Sequence, residues 1–373
     1  MAEDKTEITK KVINEIMNQA LLVEATFDDL KKNVEKTLAK IDFNRISKVY
    51  FTGCGDSYFA GVAVRYWFEK LTGMLCEPIE ALEFSRYHVD FAPADSLLVS
   101  ISNSGTVSRV IEATIKARKK GITTIAITKH PESPLAQSGE YLIEAIIPPM
   151  PSGAVGTRSY TASLLGAYLI ALVVAKARGK ITDEEYEKEA DKIRQLSKTM
   201  QEVIESQSND LLDLVNNNKI ENNLVVVGGG PNYGTAMFGA AKVLEAVNVD
   251  AIPTYLEEWA HLQFHTVYEG KYTIVIAPKG RATGRAREQL IGIKDSSGST
   301  ICLSDDESLE EYSDFFIRMP EVDEALSPFL YCIPIEFIAT YLSLKLGKSM
   351  RMRQNDWLKE VNFRQIFHSE IEE

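Results

Sequence analysis

Two stretches of this 373-residue chain recur at a fixed distance, and that recurrence constrains the fold more than any other feature. Residues 49–52 lead into Gly53, Cys54, Gly55, Asp56, Ser57 and Tyr58. Residues 224–227 lead into Gly228, Gly229, Gly230, Pro231, Asn232 and Tyr233. Residues 97–105 (LLVSISNSG) have their counterpart in residues 272–280 (YTIVIAPKG), and both pairs are offset by 175 positions. Each stretch is an apolar run, then a turn with glycine, then a segment of helical period. Nearly continuous apolar strands alternating with helices build a parallel sheet covered on both faces. The repeat therefore predicts an α/β chain with two doubly wound parallel-sheet domains in tandem.

The length agrees, since about 150 residues per domain makes two. Residues 6–41 have helical periodicity and read as a helical lead-in. A strand over 48–52 precedes a helix whose turns are marked by Tyr58, Val62, Arg65, Tyr66, Glu69 and Lys70, stopping at Gly73. A strand over 96–102 precedes a helix with Val107, Val110, Ile111, Thr114 and Ile115 on one face. That helix stops at Lys119, Lys120 and Gly121, before a strand over 122–128. The division expected is 1–200 for the helices plus the first, anion-binding domain, 201–345 for the second domain, and 346–373 for a tail closing the active site. The linker is expected in the polar stretch 179–223.

Composition excludes several classes. With a formal net charge of −12 and no Lys/Arg block, no nucleic-acid partner is expected. No apolar run nears the roughly 20 residues of a membrane span, so no membrane partner is expected, and 164–175 reads as a buried helix. The charged N-terminus has no leader pattern, and Cys54, Cys76, Cys302 and Cys332 are scattered. Neither a zinc site nor a disulfide framework follows, and a reducing cytoplasm is the expected compartment.

So acidic a chain can hold a small anion only with local devices: backbone N–H groups, hydroxyls and helix N-termini. The turns 53–57 and 102–106 supply these where strands give way to helices, the usual ligand position in open parallel sheets. Helix capping would also explain serine and asparagine there. Two hydroxyl-rich turns in one domain favour an anion site. The second copy has Asn232, Ala277, Lys279 and Arg281 instead. A dinucleotide fingerprint needs glycine where Tyr58 and Tyr233 stand, although Glu80 could mimic the ribose-binding acid, and no cofactor is expected. Lys242 and Glu245, three apart, would by themselves be a surface ion pair. His261, His265 and Glu258 lack HExxH spacing and a third strong ligand, so no metal is expected. Lys359 alone would be a solvated charge.

CGDSY (residues 54–58), RYWFEKLTG (65–73), SNSG (102–105) and KVLEA (242–246) resemble the sugar-isomerase (SIS) domain family. They are similar to the isomerase half of glucosamine-6-phosphate synthase and to the shorter fructosamine-phosphate deglycases and amino-sugar-phosphate deaminases, over about residues 45–361. The resemblance implies two tandem flavodoxin-like SIS domains. It places Ser57, Ser102, Asn103 and Ser104 at the sugar phosphate, and Cys54, Gly55 and Asp56 along the sugar. Glu245 would be the base moving a proton between C1 and C2, with Lys242 one turn before it. His261 would assist ring opening from a neighbouring subunit, implying a homodimer with a shared active site. Lys359 would form a Schiff base with a ketose. Thr106, Gly156, Arg158 and Glu258 complete the candidate substrate contacts.

Departures from the family pattern stand at Val107, where threonine is usual, at the loop Gly156, Thr157, Arg158, and at Leu262 and Gln263 after the histidine. An arginine near the anion suits carboxylate, phosphate or sulfonate alike. The chain opens Met-Ala-Glu rather than with a nucleophilic cysteine, so no glutamine amidotransferase activity is expected. The leading expectation is an aldose–ketose isomerase of a hexose with a 6-position anion, most simply a phosphate. An amino-sugar-phosphate deaminase or fructosamine-6-phosphate deglycase, a 6-sulfonated-sugar isomerase, and a non-catalytic sugar-phosphate sensor are the alternatives.

Overall fold

A computed structural model describes residues 5–150, 156–220, 223–348 and 356–372. The first sheet contains β1 (Lys48–Gly53), β2 (Cys76–Glu80), β3 (Ser96–Ile101), β4 (Thr123–Thr128) and β5 (Tyr141–Glu144). All pairings are parallel and the order is β2-β1-β3-β4-β5. The second sheet contains β6 (Leu224–Gly228), β7 (Ala251–Tyr255), β8 (Tyr272–Ile276), β9 (Ser299–Ser304) and β10 (Phe315–Arg318), ordered β7-β6-β8-β9-β10 and again parallel. The internal repeat reaches the strand register. Tyr50 lies opposite Leu98 as Val225 lies opposite Thr273, and Val49 opposite Cys76 as Leu224 opposite Ala251. All four pairs keep the 175-residue offset read from the sequence.

The chain packs as two units, each holding one sheet. One comprises Leu21–Pro149, Arg158–Ser197 and Arg353–Glu373; the other comprises Met1–Ala20, Met150–Thr157 and Lys198–Met352. The polar stretch expected to hold the linker is a single 35-residue helix, Asp183–Asn217.

In the unit of the first sheet, β3 is buried at every position, which is why its sequence reads SLLVSI without alternation. Trp67, on the helix Asp56–Thr72, stacks on Tyr168 with ring centroids 5.9 Å apart, and its indole N–H donates to the Tyr168 carbonyl. Gly73 ends that helix with φ 65°. The apolar run at 164–175 belongs to a longer helix, Arg158–Ala177, which by length and composition could cross a membrane. Its most apolar stretch is 89% buried in the fold, as a core helix requires. In the other unit the helices Asn232–Val247 and Pro328–Lys345 pack closely, because Gly239 has no side chain: a Cβ there would lie 2.7 Å from Ile335.

Candidate functional site

In the first sheet β1 and β3 are neighbours, with β2 outside one and β4 outside the other. The crossovers therefore diverge at the β1/β3 boundary, the topological switch point where open sheets of this order bind ligands. Both hydroxyl-bearing turns lie there. Gly53 ends β1, where a Cβ would sit 2.8 Å from that of Ser57, so glycine lets the helix start against the strand end. Gly55 (φ 54°) is the residue before the helix, and Asp56 and Ser57 open it, half-buried.

The second turn is organised by its own hydroxyls. Ser102 is buried, donates its N–H to the Ile127 carbonyl and accepts the Gly105 N–H at 3.2 Å. Ser104 Oγ accepts both the N–H and the hydroxyl of Thr106, at 3.3 and 2.9 Å. Gly105 has φ 66°, and a Cβ there would lie 2.1 Å from Ser133 Oγ. The Asn103 carbonyl accepts from Thr128 Oγ1 and Lys129 N, both at 3.2 Å, but its side-chain Oδ1 is buried without a partner. A buried acceptor left unpaired costs about 1–3 kcal/mol.

These contacts displace the capping explanation. Neither Asp56–Thr72 nor the following helix Ser108–Lys119 has a side-chain cap; their cap residues are Gly55 and Val107. The serines shape the turns rather than cap the helices.

Cys54 does not act as a thiolate here. Its Sγ–H donates to Glu80 Oε1 at 3.2 Å, and burial, then the Glu80 carboxylate, push the thiol up to about 12. Glu80 also accepts the N–H groups of Leu82 and Glu83 at 2.8 and 3.2 Å, so the acid considered for a ribose is committed to a short helix. Burial drives Cys302 up to about 12 as well, and Cys76 and Cys332 above the ordinary range. We therefore expect almost no iodoacetamide labelling of the folded chain at pH 8 and labelling of all four cysteines in urea, counted by mass spectrometry. Rapid labelling of Cys54 in the folded chain would contradict this environment. Arg158 is buried and donates to the Pro148 carbonyl at 2.9 Å, and Lys359 is exposed on the helix Asp356–Phe367.

The other unit brings together Lys242, Glu245 and Gly156. The Lys242 ammonium donates to Glu245 Oε2 at 2.8 Å and to the Gly156 carbonyl at 3.3 Å, and lies 4.9 Å from the centre of the Phe238 ring. Its side chain is 1% exposed against 26% for Glu245, so this is a buried cation paired with a carboxylate at the surface, and the surface ion-pair reading is corrected. His261 and Glu258 are exposed on the short helix Glu258–His261, with His261 Nε2 3.4 Å from Glu257 Oε1. Among the described residues, no three His, Cys, Asp or Glu side chains form a group able to hold a metal ion.

The second sheet's switch point is filled from within. The Lys279 N–H donates to Asp305 at 2.6 Å and the Arg281 N–H to Glu324 at 3.4 Å. A Cβ on Gly280 would lie 2.5 Å from the Glu324 carboxyl carbon. Two carboxylates thus take the acceptor positions that an anion would use. Sequence reading saw the missing hydroxyls but not these acids, which are 26 and 43 residues beyond the groups they bind.

Residues 42–173 match the family model described as SIS domain. A curated relative, the glutamine–fructose-6-phosphate aminotransferase (isomerizing) of Zymomonas mobilis, is 26% identical over 357 residues, covering 91% of this chain and 57% of its own. The chain spans about half the length of the curated relatives it matches. Among solved structures, the C-terminal domain of glucosamine-fructose-6-phosphate aminotransferase from Francisella tularensis superposes with a TM-score of 0.81. It is 21% identical and covers 89% of this chain and 95% of that one. Glucosamine-6-phosphate deaminase from Thermotoga maritima gives 0.67 at 22% identity, over 92% and 98%. These likenesses establish the tandem fold.

Proposed function

From the match of residues 42–173 to the SIS domain model, we propose that this protein is an aldose–ketose isomerase of a hexose bearing a 6-position anion, most simply a phosphate. The observation that carries the reading is the switch point of the first sheet. Two uncapped helix starts and a hydroxyl-lined turn sit there, with one buried acceptor left over on Asn103. In this reading the anion is held by Ser57, Ser102, Ser104, Thr106 and the helix N–H groups, and a sugar hydroxyl satisfies Asn103. Neutral at physiological pH, the Cys54 thiol and Gly55 border the sugar without charging the pocket.

In the same reading Glu245 is the base. It removes the C1 proton of the open ketose, the electron pair forms the C1–C2 double bond of an enediol as the carbonyl oxygen O2 takes up a proton, and the carbon proton returns at C2 as O1 gives up its hydroxyl proton to become the aldehyde oxygen. Lys242, fixed beside it, holds positive charge next to the developing enediolate. His261 assists ring opening, and a second copy of the chain supplies it in a homodimer. Asp56 favours a second reading: a carboxylate among the hydroxyls suits a substrate carrying an amine. Deamination or deglycation, with Lys359 as the Schiff-base amine, would then follow.

Incubation with hexose and hexosamine 6-phosphates and 6-sulfonated sugars in D2O, followed by NMR, tests the proposal. Deuterium should enter at C1 or C2 of at least one sugar. Ammonia release from an aminated sugar would select the second reading, and no exchange with any of them would sink both.

A further inference from the structure

The helix that opens behind the 102–106 turn, Ser108–Lys119, carries a carboxylate with no exposed side-chain surface, Glu112. A buried carboxylate is stable only when fully paired. Glu112 meets Arg86 through both oxygens, Arg109 Nη1 at 2.5 Å, the Lys116 ammonium at 3.8 Å and the backbone N–H of Glu372 at 3.1 Å. Its pKa is held below the usual glutamate range; burial acts upward but is outweighed by the arginines and the Glu372 N–H.

The last of those partners comes from 260 residues further along the chain. The same C-terminal segment makes further contacts. Ser369 Oγ accepts from Arg109 Nη2 at 3.2 Å. The Glu372 carboxylate pairs with Arg86 and lies 3.5 Å from the Lys116 ammonium. Ile371 packs against the apolar core that contains Tyr50, Leu98 and Val110. Just before this segment stands the helix Asp356–Phe367, which carries Lys359 and leaves Trp357, Leu358 and Phe363 largely in solvent. The helix itself lies against Ser108–Lys119, and the segment that follows it adds the charged contacts to that same helix.

We propose that Glu112 is a positioning residue: it latches residues 369–372, and through them the Lys359 helix, onto the helix that begins at the hydroxyl turn. The latch stands on these contacts alone, whereas its bearing on turnover rests on the function proposed above. Arg109 links the two ends, since it occupies the first turn behind the hydroxyl loop and its charge is felt at the Cys54 thiol. Among the described residues, three cations (Arg86, Arg109, Lys116) meet two carboxylates (Glu112, Glu372) in this cluster, an excess of one positive charge. Neutralising Glu372 increases that excess, so opening the latch frees the tail without weakening anion binding.

Hydrogen exchange followed by mass spectrometry on the full chain reads this directly. In Ser369→Ala/Glu372→Gln, peptides spanning 356–372 should exchange about tenfold faster or more, while peptides of β1–β5 keep their rates. The affinity for inorganic phosphate should stay within about twofold. With whichever sugar phosphate exchanges its C1/C2 proton, kcat should fall and KM should barely move. Glu112→Gln should free the tail further; if it fails to fold, the Ser369/Glu372 variant decides alone. Unchanged tail exchange in that variant, or acceleration spread evenly through β1–β5, would overturn the latch. Absence of C1/C2 exchange in the wild-type chain would instead remove the isomerase reading and leave the exchange data to judge the latch.

Discussion

Glu245→Gln should slow C1/C2 proton exchange by about 10²- to 10⁴-fold, the usual contribution of a positioned general base. The substitution keeps the side chain's shape and an oxygen for the Lys242 ammonium, now 2.8 Å away, but removes the group able to take a proton from carbon. It also removes the carboxylate charge paired with the buried Lys242 ammonium, so a loss of up to about 3 kcal/mol in stability should accompany it. Thermal unfolding separates the two effects, and exchange should be measured well below the variant's Tm. Glu245→Asp restores the charge but draws it back by one methylene, so its rate should fall between those of wild type and Gln. A Gln variant exchanging at the wild-type rate would remove Glu245 from the chemistry.

Gly105→Ala should cost the most in the anion turn. The residue sits at φ 66°, where an alanine loses about 1 kcal/mol. The new methyl would lie 2.1 Å from Ser133 Oγ and 2.8 Å from Thr128 Oγ1, distances real Cβ atoms do not tolerate. The turn must therefore move, breaking the Ser102–Gly105 hydrogen bond and shifting Asn103 and Ser104. We expect about 2–4 kcal/mol of destabilisation, read as a lower Tm, and loss of measurable phosphate binding by calorimetry. Adding Ser133→Gly removes the nearest clash and should recover part of the stability. Full phosphate affinity in Gly105→Ala would show that this turn does not hold the anion.

Much of this was legible in the sequence because its signals are local or periodic. The offset between 49–58 and 224–233 foretold two similar sheets, and the structure carries it on into the pairing of β1 with β3 and of β6 with β8. Gly73 and Gly121, both at positive φ, mark helix ends as expected. The turns were legible as turns, yet the role of their serines was not. Whether Ser102 caps a helix or ties Gly105 depends on a rotamer, and the sequence carries no signal for it. Long-range pairings were equally invisible. Glu112 reads as an ordinary helix-surface acid until Arg86 and the C-terminal segment fold onto it, and Lys242 reads as solvated until its burial is seen. A useful signal did exist for Glu112: it lies three residues after Arg109 and four before Lys116, an unusual concentration of charge on one helix stripe.

The shared register of the two sheets has a consequence for how such a chain diversifies. Its strands fix where loops emerge, and the central pairings do so alike in both halves, so the loops there behave as exchangeable fittings on one chassis. One set carries the hydroxyl-bearing turn, while in the other Asp305 and Glu324 accept the backbone N–H groups of Lys279 and Arg281. In the second half the Lys242–Glu245 pair stands instead on the helix Asn232–Val247. Paralogues of this architecture can therefore change ligand by trading a handful of loop residues, with the cost in fold stability confined to the loops themselves.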